Sequence, residues 1–571
     1  MRNNLFSVLR PYRGMVALLV LLTVASNALN LAVPTLIAKA IDAYSMGSFV
    51  PDASLVEFSL LSVAIFIFVY LQSIVQTYCS ERVARDLRTE LAAKVSVQEY
   101  AYIDRVTPAK LLTNLTSDID AVKNFIAQAI PSIVSSAFLI IGASTLLLVL
   151  DWRLALAVLA VLPVIAVTFF LVLRRVRPLF RRTQETIDWL NRIINESILA
   201  AALVRLVNSQ QFEYEKFLQA NMQAKEIGFR IIRLFAGLLP IITFCTNAAT
   251  LAIVLLGGRF VIDGTMSLGS FTAFNTYLAI LIFPILIIGF MSNVIAQASA
   301  SWGRVAEVLN REETKSGGTT VADLTGAVEV SGVSLRLGEK QVLTDISFSL
   351  LPGTRNAVVG PTAAGKTQLL YLIAGLRAPS TGHVRYDGRD VDVYDKESLH
   401  TQVSIVFQDS SMFNLSLREN IAFSATVGNV ELQKAIDTAE LGDFVASLPD
   451  GLDTVVSERG TSLSGGQKQR IMLARALAQN PRVLLLDDFT ARVDTATEHK
   501  ILANVERNYP GLTLLSVTQK IASVEAYDQI IVLMEGEIVA RGTHDELLAT
   551  SPEYVQIYES QQSTNAYELQ T

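Results

Sequence analysis

The chain has 571 residues, of which 51% are hydrophobic and only 18% are charged, and its formal net charge is −6 at pH 7. Its mean hydropathy of +0.40 excludes an ordinary soluble protein. The acidic balance gives no electrostatic basis for a nucleic-acid partner. The two cysteines, Cys79 and Cys245, lie in apolar segments and indicate buried thiols rather than a disulfide framework.

The first half of the chain contains six apolar segments that are long enough to cross a membrane. A spanning helix needs about 20 mostly apolar residues. The segments are 15–43, 55–80, 128–150, 154–174, 234–260 and 271–297. The first is too long for the core of a signal peptide, so we expect it to be retained. The sequence therefore predicts a multi-pass protein in a lipid bilayer.

The distribution of basic residues predicts the orientation of these spans. The loop 43–55 has no Lys or Arg, whereas the connections 81–127 and 175–233 contain arginine clusters. Basic connections face the cytoplasm, so both termini and the second half of the chain are expected there. Both connections are long and poor in glycine, with possible reversals near Pro108 and 208–211. They predict helical arms that extend into the cytosol.

Several polar residues lie within the predicted spans, and intramembrane polar groups are candidates for function. Hydrogen bonding between neighbouring helices is the commoner role, and the sequence leaves both roles open. The residues are Asn27, Asn30, Lys39, Gln72, Gln76, Asn247, Asn293 and Gln297.

Residues 360–367 read GPTAAGKT, which matches the phosphate-binding pattern G-x-x-x-x-G-K-[ST]. The pattern follows a strand-like segment and precedes an apolar helix, as a phosphate cradle requires. Lys366 would supply positive charge to the phosphates, and Thr367 would supply a hydroxyl to Mg²⁺. The predicted nucleotide-binding residues here are Gly360, Thr362, Ala363, Ala364, Gly365, Lys366, Thr367 and Gln368. ATP and Mg²⁺ are the predicted cofactors.

The segment VLLLDD at 483–488 is an apolar run that ends in two carboxylates. Such a run is typical of a buried parallel strand that presents acids at its carboxyl end. We expect Asp487 to hold the Mg²⁺ shell and Asp488 to occupy the position that orients or deprotonates the attacking water.

Five motifs in order and spacing resemble those of the ATP-binding cassette transporters. They are GPTAAGKT, the segment that contains Gln408, LSGGQKQR at 463–470, VLLLDD, and Asp494 in ARVD. The whole chain resembles an exporter-type half-transporter. The fold class implied is an α-helical six-span transmembrane domain (1–307), a linker (308–325), and an α/β P-loop nucleotide-binding domain with an α-helical signature subdomain (326–571).

The resemblance implies that two cassettes meet head to tail and enclose ATP between one chain's cradle and the other chain's LSGGQ. This chain's signature residues would then contact ATP bound to its partner; they are Ser464, Gly465, Gly466 and Gln467. Gln408 would bind Mg²⁺ with Thr367 and Asp487, and would link the nucleotide to the membrane helices. Asp494 would lie at the seam between cassettes, and Glu458 and Arg459 would belong to a cross-talk loop.

Three residues depart from the family pattern. Asp488 stands in place of a catalytic glutamate, Gln519 in place of a histidine that contacts the γ-phosphate, and Leu337 in place of an aromatic residue that stacks on adenine. Aspartate is shorter by one methylene group, and a misplacement of about 1 Å can cost about 100-fold in rate. Each departure alone could be harmless. Together they predict a weak catalytic site, with Asp488, Gln519 and Gln408 as the residues that would act there.

The chain thus resembles the degenerate-site subunit of heterodimeric bacterial multidrug or lipid exporters. It is expected in the cell (inner) membrane, paired with a second half-transporter that supplies glutamate and histidine, and moving hydrophobic or amphipathic compounds. Three alternatives remain open: a nucleotide-sensing regulatory or gating subunit, a slow homodimeric pump, and an importer of exporter fold for siderophore-like substrates. The sequence specifies neither the substrate nor the direction of transport.

Overall fold

The structure, a computed structural model, describes residues 4–311, 317–424, 427–457, 460 and 462–568. Glu458 and Arg459, expected in a cross-talk loop, lie outside the described residues. The chain divides into two compact units. The first comprises Met1–Ser96 and Pro108–Glu312, and the second comprises Val97–Thr107 and Glu313–Thr571.

The first unit is entirely helical in its described part. Six stretches of 41 to 53 residues are apolar enough to span a membrane, which confirms the predicted spans. At 1.5 Å per residue each is about twice as long as the bilayer core is thick, so the helices continue beyond it as predicted. The helix α3 (Tyr100–Val106) belongs to the second unit. The α-helices of the first unit are α1 (Arg13–Ser45), α2 (Pro51–Ser96), α4 (Pro108–Thr113), α5 (Ile119–Asn124), α6 (Ile130–Leu150), α7 (Trp152–Leu159), α8 (Val161–Leu199), α9 (Ala201–Leu206), α10 (Gln210–Ala252), α11 (Gly258–Ile262) and α12 (Leu268–Leu309).

Both predicted reversals are present in the basic connections. Thr107, with φ at 70°, ends α3, and α4 begins at Pro108. Asn208, with φ at 52°, separates α9 from α10. A non-glycine residue with positive φ is uncommon and reverses the chain sharply. Each connection therefore consists of two long helical arms with one short helix at the turn.

Two of the intramembrane polar residues join neighbouring helices. Gln72 on α2 accepts a hydrogen bond from Ser26 of α1 at 3.0 Å. Asn27, also on α1, accepts one from Ser135 of α6 at 2.9 Å. A membrane offers no water to satisfy such groups, so these bonds hold α1 against both neighbours.

The carboxylate of Asp42 joins the end of α1 to the start of α12. It accepts hydrogen bonds from the hydroxyl of Ser267 at 2.7 Å and the backbone N–H of Gly269 at 2.6 Å. The first N–H groups of a helix have no partner within the helix, so Asp42 caps α12 from outside it. A Cβ on Gly269 would lie 2.0 Å from the carbonyl oxygen of Ala38. Only glycine permits this close approach of the two helices.

The second unit is an α/β domain built on two sheets. A four-stranded antiparallel sheet has the order β2-β1-β4-β5, and a six-stranded sheet has the order β10-β9-β3-β8-β7-β6. The strands are β1 (Val328–Leu337), β2 (Lys340–Leu350), β3 (Arg355–Val359), β4 (Thr381–Tyr386), β5 (Arg389–Asp390), β6 (Val403–Val406), β7 (Val483–Asp487), β8 (Thr513–Thr518), β9 (Gln529–Met534) and β10 (Glu537–Gly542). The helices are α13 (Lys366–Ile373), α14 (Lys396–Gln402), α15 (Leu417–Ala422), α16 (Asn429–Thr438), α17 (Gly442–Ser447), α18 (Gly465–Leu477), α19 (Thr495–Asn508), α20 (His544–Thr550) and α21 (Pro552–Glu568).

The larger sheet brings three loops to one edge. β8 pairs in parallel with β3 on one side and with β7 on the other. All residues of β7 and β8 are buried, because helices cover both faces of a parallel sheet. The carboxyl ends of the three strands therefore lie side by side, where α/β proteins bind their ligands.

We predict that Asp42→Ala destabilises the membrane unit by about 1–3 kcal/mol, because the backbone N–H of Gly269 and the hydroxyl of Ser267 lose their acceptor. The measurement is the thermal unfolding midpoint of the purified protein in detergent. The matched control is Asp52→Ala, since Asp52 is an exposed acid in the first turn of α2. Equal midpoints for the two variants would contradict the role of Asp42.

Candidate ATP-binding site

A cavity of about 280 Å³ lies at the carboxyl edge of β3, β7 and β8. Most of the residues predicted to bind or cleave ATP line it. The lining residues are Val342, Thr362, Ala363, Gly365, Lys366, Thr367, Gln368, Gln408, Asp487, Asp488, Val517 and Gln519. The cradle, the strand acids and Gln519 thus meet in one place, although they are far apart in the chain.

The loop between β3 and α13 is tightly curved. Gly365 has φ at +102°, and a Cβ there would lie 2.6 Å from Cδ2 of Leu343. Ala363 also has positive φ, at 67°. Such backbone conformations cluster at ligand sites, where surrounding structure holds them in place. The curvature places the loop at the amino end of α13, where backbone N–H groups favour phosphate.

Lys366, the first residue of α13, is buried at the cavity wall. Its ammonium group donates hydrogen bonds to the carbonyl oxygens of Gly360 and Pro361, both at 2.8 Å. Burial lowers the pKa of Lys366, while the carboxylates of Asp488 and Asp487 act in the opposite direction. A buried cation next to two acids is suited to a ligand that carries several negative charges.

Asp487 and Thr367 form the cation-binding side of the cavity. The Thr367 hydroxyl donates to Oδ1 of Asp487 at 3.1 Å. The other oxygen, Oδ2, is buried and has no hydrogen-bond partner among the described residues. Burial also raises the pKa of Asp487. Mg²⁺ prefers oxygen ligands and would satisfy this carboxylate, so Asp487, Thr367 and the nearby Gln408 fit the expected metal.

Asp488 lies one residue beyond β7, with φ at 46°. Its backbone N–H donates to the carbonyl oxygen of Val517 on β8 at 2.8 Å, which holds it beside Gln519. Burial raises the pKa of Asp488, and the ammonium groups of Lys366 and Lys520 oppose this rise. The carboxyl group faces the cavity, but on a shorter side chain than glutamate.

Of the residues predicted to bind ATP in this chain's own cradle, three do not line the cavity in the described part of the chain. Gly360 and Ala364 lie in the cradle loop between β3 and α13, but they are not among the residues that line the cavity. Leu337 is paired with Lys340 at the β1–β2 turn and packs on the apolar core of the domain. Two residues without a sequence signal, Val342 on β2 and Val517 on β8, line the cavity. The role of Leu337 beside adenine stays a prediction.

The LSGGQ residues lie at the amino end of a different helix, α18. Ser464 caps α18, and its hydroxyl oxygen accepts from the backbone N–H of Gln467 at 3.2 Å. The side chain of Gln467 accepts from the backbone N–H of Ser464 at 2.8 Å. This reciprocal arrangement is a capping box. Ser464 is exposed, and in the described residues Ser464, Gly465, Gly466 and Gln467 are all absent from the cavity lining.

Asp494 caps the next helix. Its carboxylate accepts from the backbone N–H of Thr497 at 2.9 Å, at the start of α19. This hydrogen bond lowers the pKa of Asp494, so the group is charged at neutral pH. Its observed role is structural, because it satisfies a free N–H at the helix terminus.

The short helix α3 is connected to the nucleotide cavity through aromatic rings. Tyr100 contacts Tyr371 of α13 edge to face at 5.5 Å, and Tyr371 contacts Phe407 at 6.0 Å. Asp104 of α3 also pairs with Arg377 at 3.1 Å. Phe407 directly precedes Gln408, so the contacts of α3 reach both the cradle helix and a cavity residue.

Comparison with known proteins identifies the family. Residues 16–285 match the family model of the ABC transporter transmembrane region, and residues 343–491 match that of the ABC transporter. The ABC transporter ATP-binding protein YfiB of Bacillus subtilis is 31% identical over 561 residues, which cover 97% of this chain and 98% of YfiB. The chain belongs to the ABC transporter family. The ATP-dependent lipid A-core flippase of Syntrophus aciditrophicus is 28% identical and covers 98% of the chain, with 94% of the flippase matched.

The fold agrees with an exporter. A bacterial Atm1-family ABC exporter with ATP bound superimposes with a TM-score of 0.81 over 97% of this chain and 99% of that one, at 23% identity. The predicted fold class, six membrane helices followed by a nucleotide-binding domain, is confirmed. The protein is a multi-pass membrane subunit of an ABC transporter of the exporter type, whose cassette binds ATP and hydrolyses it to drive transport.

We predict that Asp487→Asn raises the stability of the nucleotide-free protein by about 1 kcal/mol, because it removes a buried and incompletely paired charge. The same change removes the additional stability that Mg²⁺ and ATP confer together. Thermal unfolding with and without Mg²⁺ and ATP measures both effects.

The sign of the pH dependence follows from the raised pKa of Asp487. The charged form is the less stable one in the folded protein, so the advantage of the Asn variant is largest above the raised pKa. This stability advantage of Asp487→Asn is lost as the pH falls through the raised pKa of Asp487, since protonated aspartate resembles asparagine. Asp545→Asn, at an exposed acid of α20, is the control. A Mg²⁺ response that survives in Asp487→Asn would refute the metal assignment.

Proposed function

We propose that the chain is one subunit of a heterodimeric exporter in the inner membrane of a bacterium, with both termini in the cytoplasm. Its own cradle holds ATP and cleaves it slowly, while its LSGGQ residues complete a faster site on the partner. The partner supplies the glutamate and histidine that Asp488 and Gln519 replace here. The exported compounds are hydrophobic or amphipathic.

The composition of the cavity is the observation that carries this proposal. The groups that would hold Mg²⁺ and ATP are in place: Lys366, Thr367 and Asp487. The two positions that would act on the γ-phosphate carry Asp488, which is short, and Gln519, which carries no charge. Binding is thus retained where cleavage is impaired. The signature helix α18 is intact and capped, and is available to a second cassette.

The turn between α8 and α10, which contains α9, also supports a second subunit. Its apolar side chains are exposed in the single chain, with Leu199 at 79% and Leu206 at 81% of full exposure. These residues flank and form α9, which lies in a cytosolic connection and not within a span. Large apolar groups at such a turn are typical of a protein interface.

An apolar groove between α8 and α12 supports an amphipathic substrate. It has a volume of about 540 Å³, is bordered by Phe169, Phe170 and Ile288, and has Arg177 at one end. The guanidinium of Arg177 donates to the hydroxyl of Ser292 at 2.8 Å. A groove with apolar walls and one cation suits a molecule with a hydrophobic body and a polar or anionic group.

The alternatives differ in measurable ways. A slow homodimeric pump would form a stable, ATP-hydrolysing dimer when the chain is expressed alone, which mass determination detects. A regulatory or gating subunit would bind ATP without moving substrate, and vesicle transport with ATP or a non-hydrolysable analogue detects that. An importer would load substrate in the opposite direction in the same vesicles.

We predict that in the purified heterodimer Ser464→Arg lowers ATP hydrolysis by about 100-fold or more, because the side chain fills the phosphate position on the partner's site. Asp488→Asn should lower it by less than about twofold, because most turnover occurs at the other site. Steady-state hydrolysis of both variants is compared with that of the wild type.

Substitution of the partner's catalytic glutamate is the matched control and should act as Ser464→Arg does. An activity that is lost with Asp488→Asn and survives the partner's substitution would contradict the assignment. Trapped ADP found equally in both cassettes would do so as well.

We also predict that Ala166→Trp, which fills the α8–α12 groove, lowers transport of a fluorescent phospholipid or hydrophobic dye by about tenfold in proteoliposomes. Basal ATP hydrolysis should be retained, because the groove residues belong to the first unit and the cassette belongs to the second. Val167→Trp is the control, since Val167 is the exposed neighbour on α8 and does not line the groove. Equal transport by the two variants would exclude the groove as a substrate path.

A further inference from the structure

The C-terminal helix α21 contacts the loop that carries Gln519. The side-chain amide of Gln561 donates from Nε2 to the backbone carbonyl oxygen of Gln519 at 2.5 Å. Its Oε1 accepts from the backbone N–H of Ile521 at 2.9 Å. One amide group therefore binds the main chain on both sides of Lys520.

Helix α21 is itself anchored in the domain core. Tyr554 is fully buried in the same apolar cluster as Ile521 and Val524, and its hydroxyl lies 2.8 Å from Nδ1 of His544. Ile557 and Tyr558, one helical turn later, pack against that cluster as well. Gln561 follows a further turn along the helix, so its amide is held from a well-packed element.

The loop it binds is anchored at Ile521, which is buried in the core, but residues 519–520 belong to neither a helix nor a strand. β8 ends at Thr518, and the next regular element is a short 3-10 turn at Ile521–Ser523. Between them, the backbone N–H of Lys520 donates to the Thr518 hydroxyl at 3.0 Å. The side chain of Gln519 lines the ATP cavity, and the charge of Lys520 acts on Asp488. The place of the Gln519 side chain in the cavity thus depends on this stretch of backbone.

We propose that Gln561 is a positioning residue for the nucleotide site. By binding Gln519 O and Ile521 N it holds the loop so that the Gln519 side chain remains against the γ-phosphate position. This role rests on ATP binding by the cassette and is independent of whether the second subunit is identical or different. It assigns the C-terminal helix a part in nucleotide retention.

The test measures how fast nucleotide leaves this chain's own cavity in the assembled transporter. A photoreactive ATP analogue is bound with Mg²⁺ and chased with unlabelled ATP, and the label remaining on this chain is followed over time. Gln561→Ala removes both hydrogen bonds and should speed the loss by about fivefold to thirtyfold.

Nucleotide release is also measured for two further variants of α21. Gln561→Glu keeps the acceptor for Ile521 but sets a carboxylate against the Gln519 carbonyl, so the loss should be at least as fast as in Gln561→Ala. Gln562→Ala is the matched control, because the Gln562 side chain on the same helix donates to the Tyr558 hydroxyl at 2.7 Å. It should release nucleotide at the wild-type rate.

A double-mutant cycle separates positioning from a merely structural role. In a Gln519→Ala background, Gln561→Ala should cause no further acceleration, because the side chain that it positions is gone. An equal acceleration in both backgrounds, or no difference between Gln561→Ala and the wild type, overturns the proposal. If the wild-type chain takes up no label at all, ATP binding by this cassette is refuted as well.

Discussion

The geometry of the parallel sheet determines the rest of the cassette. Because β8 pairs with both β3 and β7, the loops after these three strands end at one edge. That edge brings Lys366, Asp487 and Gln519 together from distant parts of the chain. It also buries a carboxylate with one unpaired oxygen next to a buried ammonium group. A magnesium ion would satisfy the unpaired carboxylate oxygen, while the ammonium group already donates to the carbonyl oxygens of Gly360 and Pro361.

The proposed separation of ATP binding from ATP cleavage follows from which side chains depart from the family pattern. Lys366, Thr367 and Asp487 would hold the ligand, and these match the family pattern. Asp488 and Gln519 occupy the positions where water and the γ-phosphate would react. A shorter acid and an uncharged amide retain hydrogen bonding, so they would still support a bound nucleotide. On the proposed function, such a site contributes closure of the cassette pair, and the LSGGQ helix contributes turnover at the other site.

Local patterns predicted most of this architecture. The six spans, both reversals and the phosphate cradle have short-range signals, such as apolar length, proline position and glycine spacing. Contacts between distant segments have no such signal. Val342 lines the cavity because it lies on β2 beside Gly365, whereas Leu337, partly buried at the end of β1, packs against the core outside the lining. The cap that Asp42 provides for α12 depends on packing of the first helix against the last, and no pattern in either helix indicates it.

The cavity is also held from two sides by elements outside the strand edge. Tyr100 of α3 contacts Tyr371, which in turn contacts Phe407 next to Gln408, so α3 is linked through two aromatic contacts to one side of the cavity. Gln561 of α21 binds the main chain of the opposite loop. The positions of Gln408 and Gln519 therefore depend partly on residues outside the strand edge. Among the described residues neither Tyr100 nor Gln561 lines the cavity, so both bear on it only through the residues that they contact.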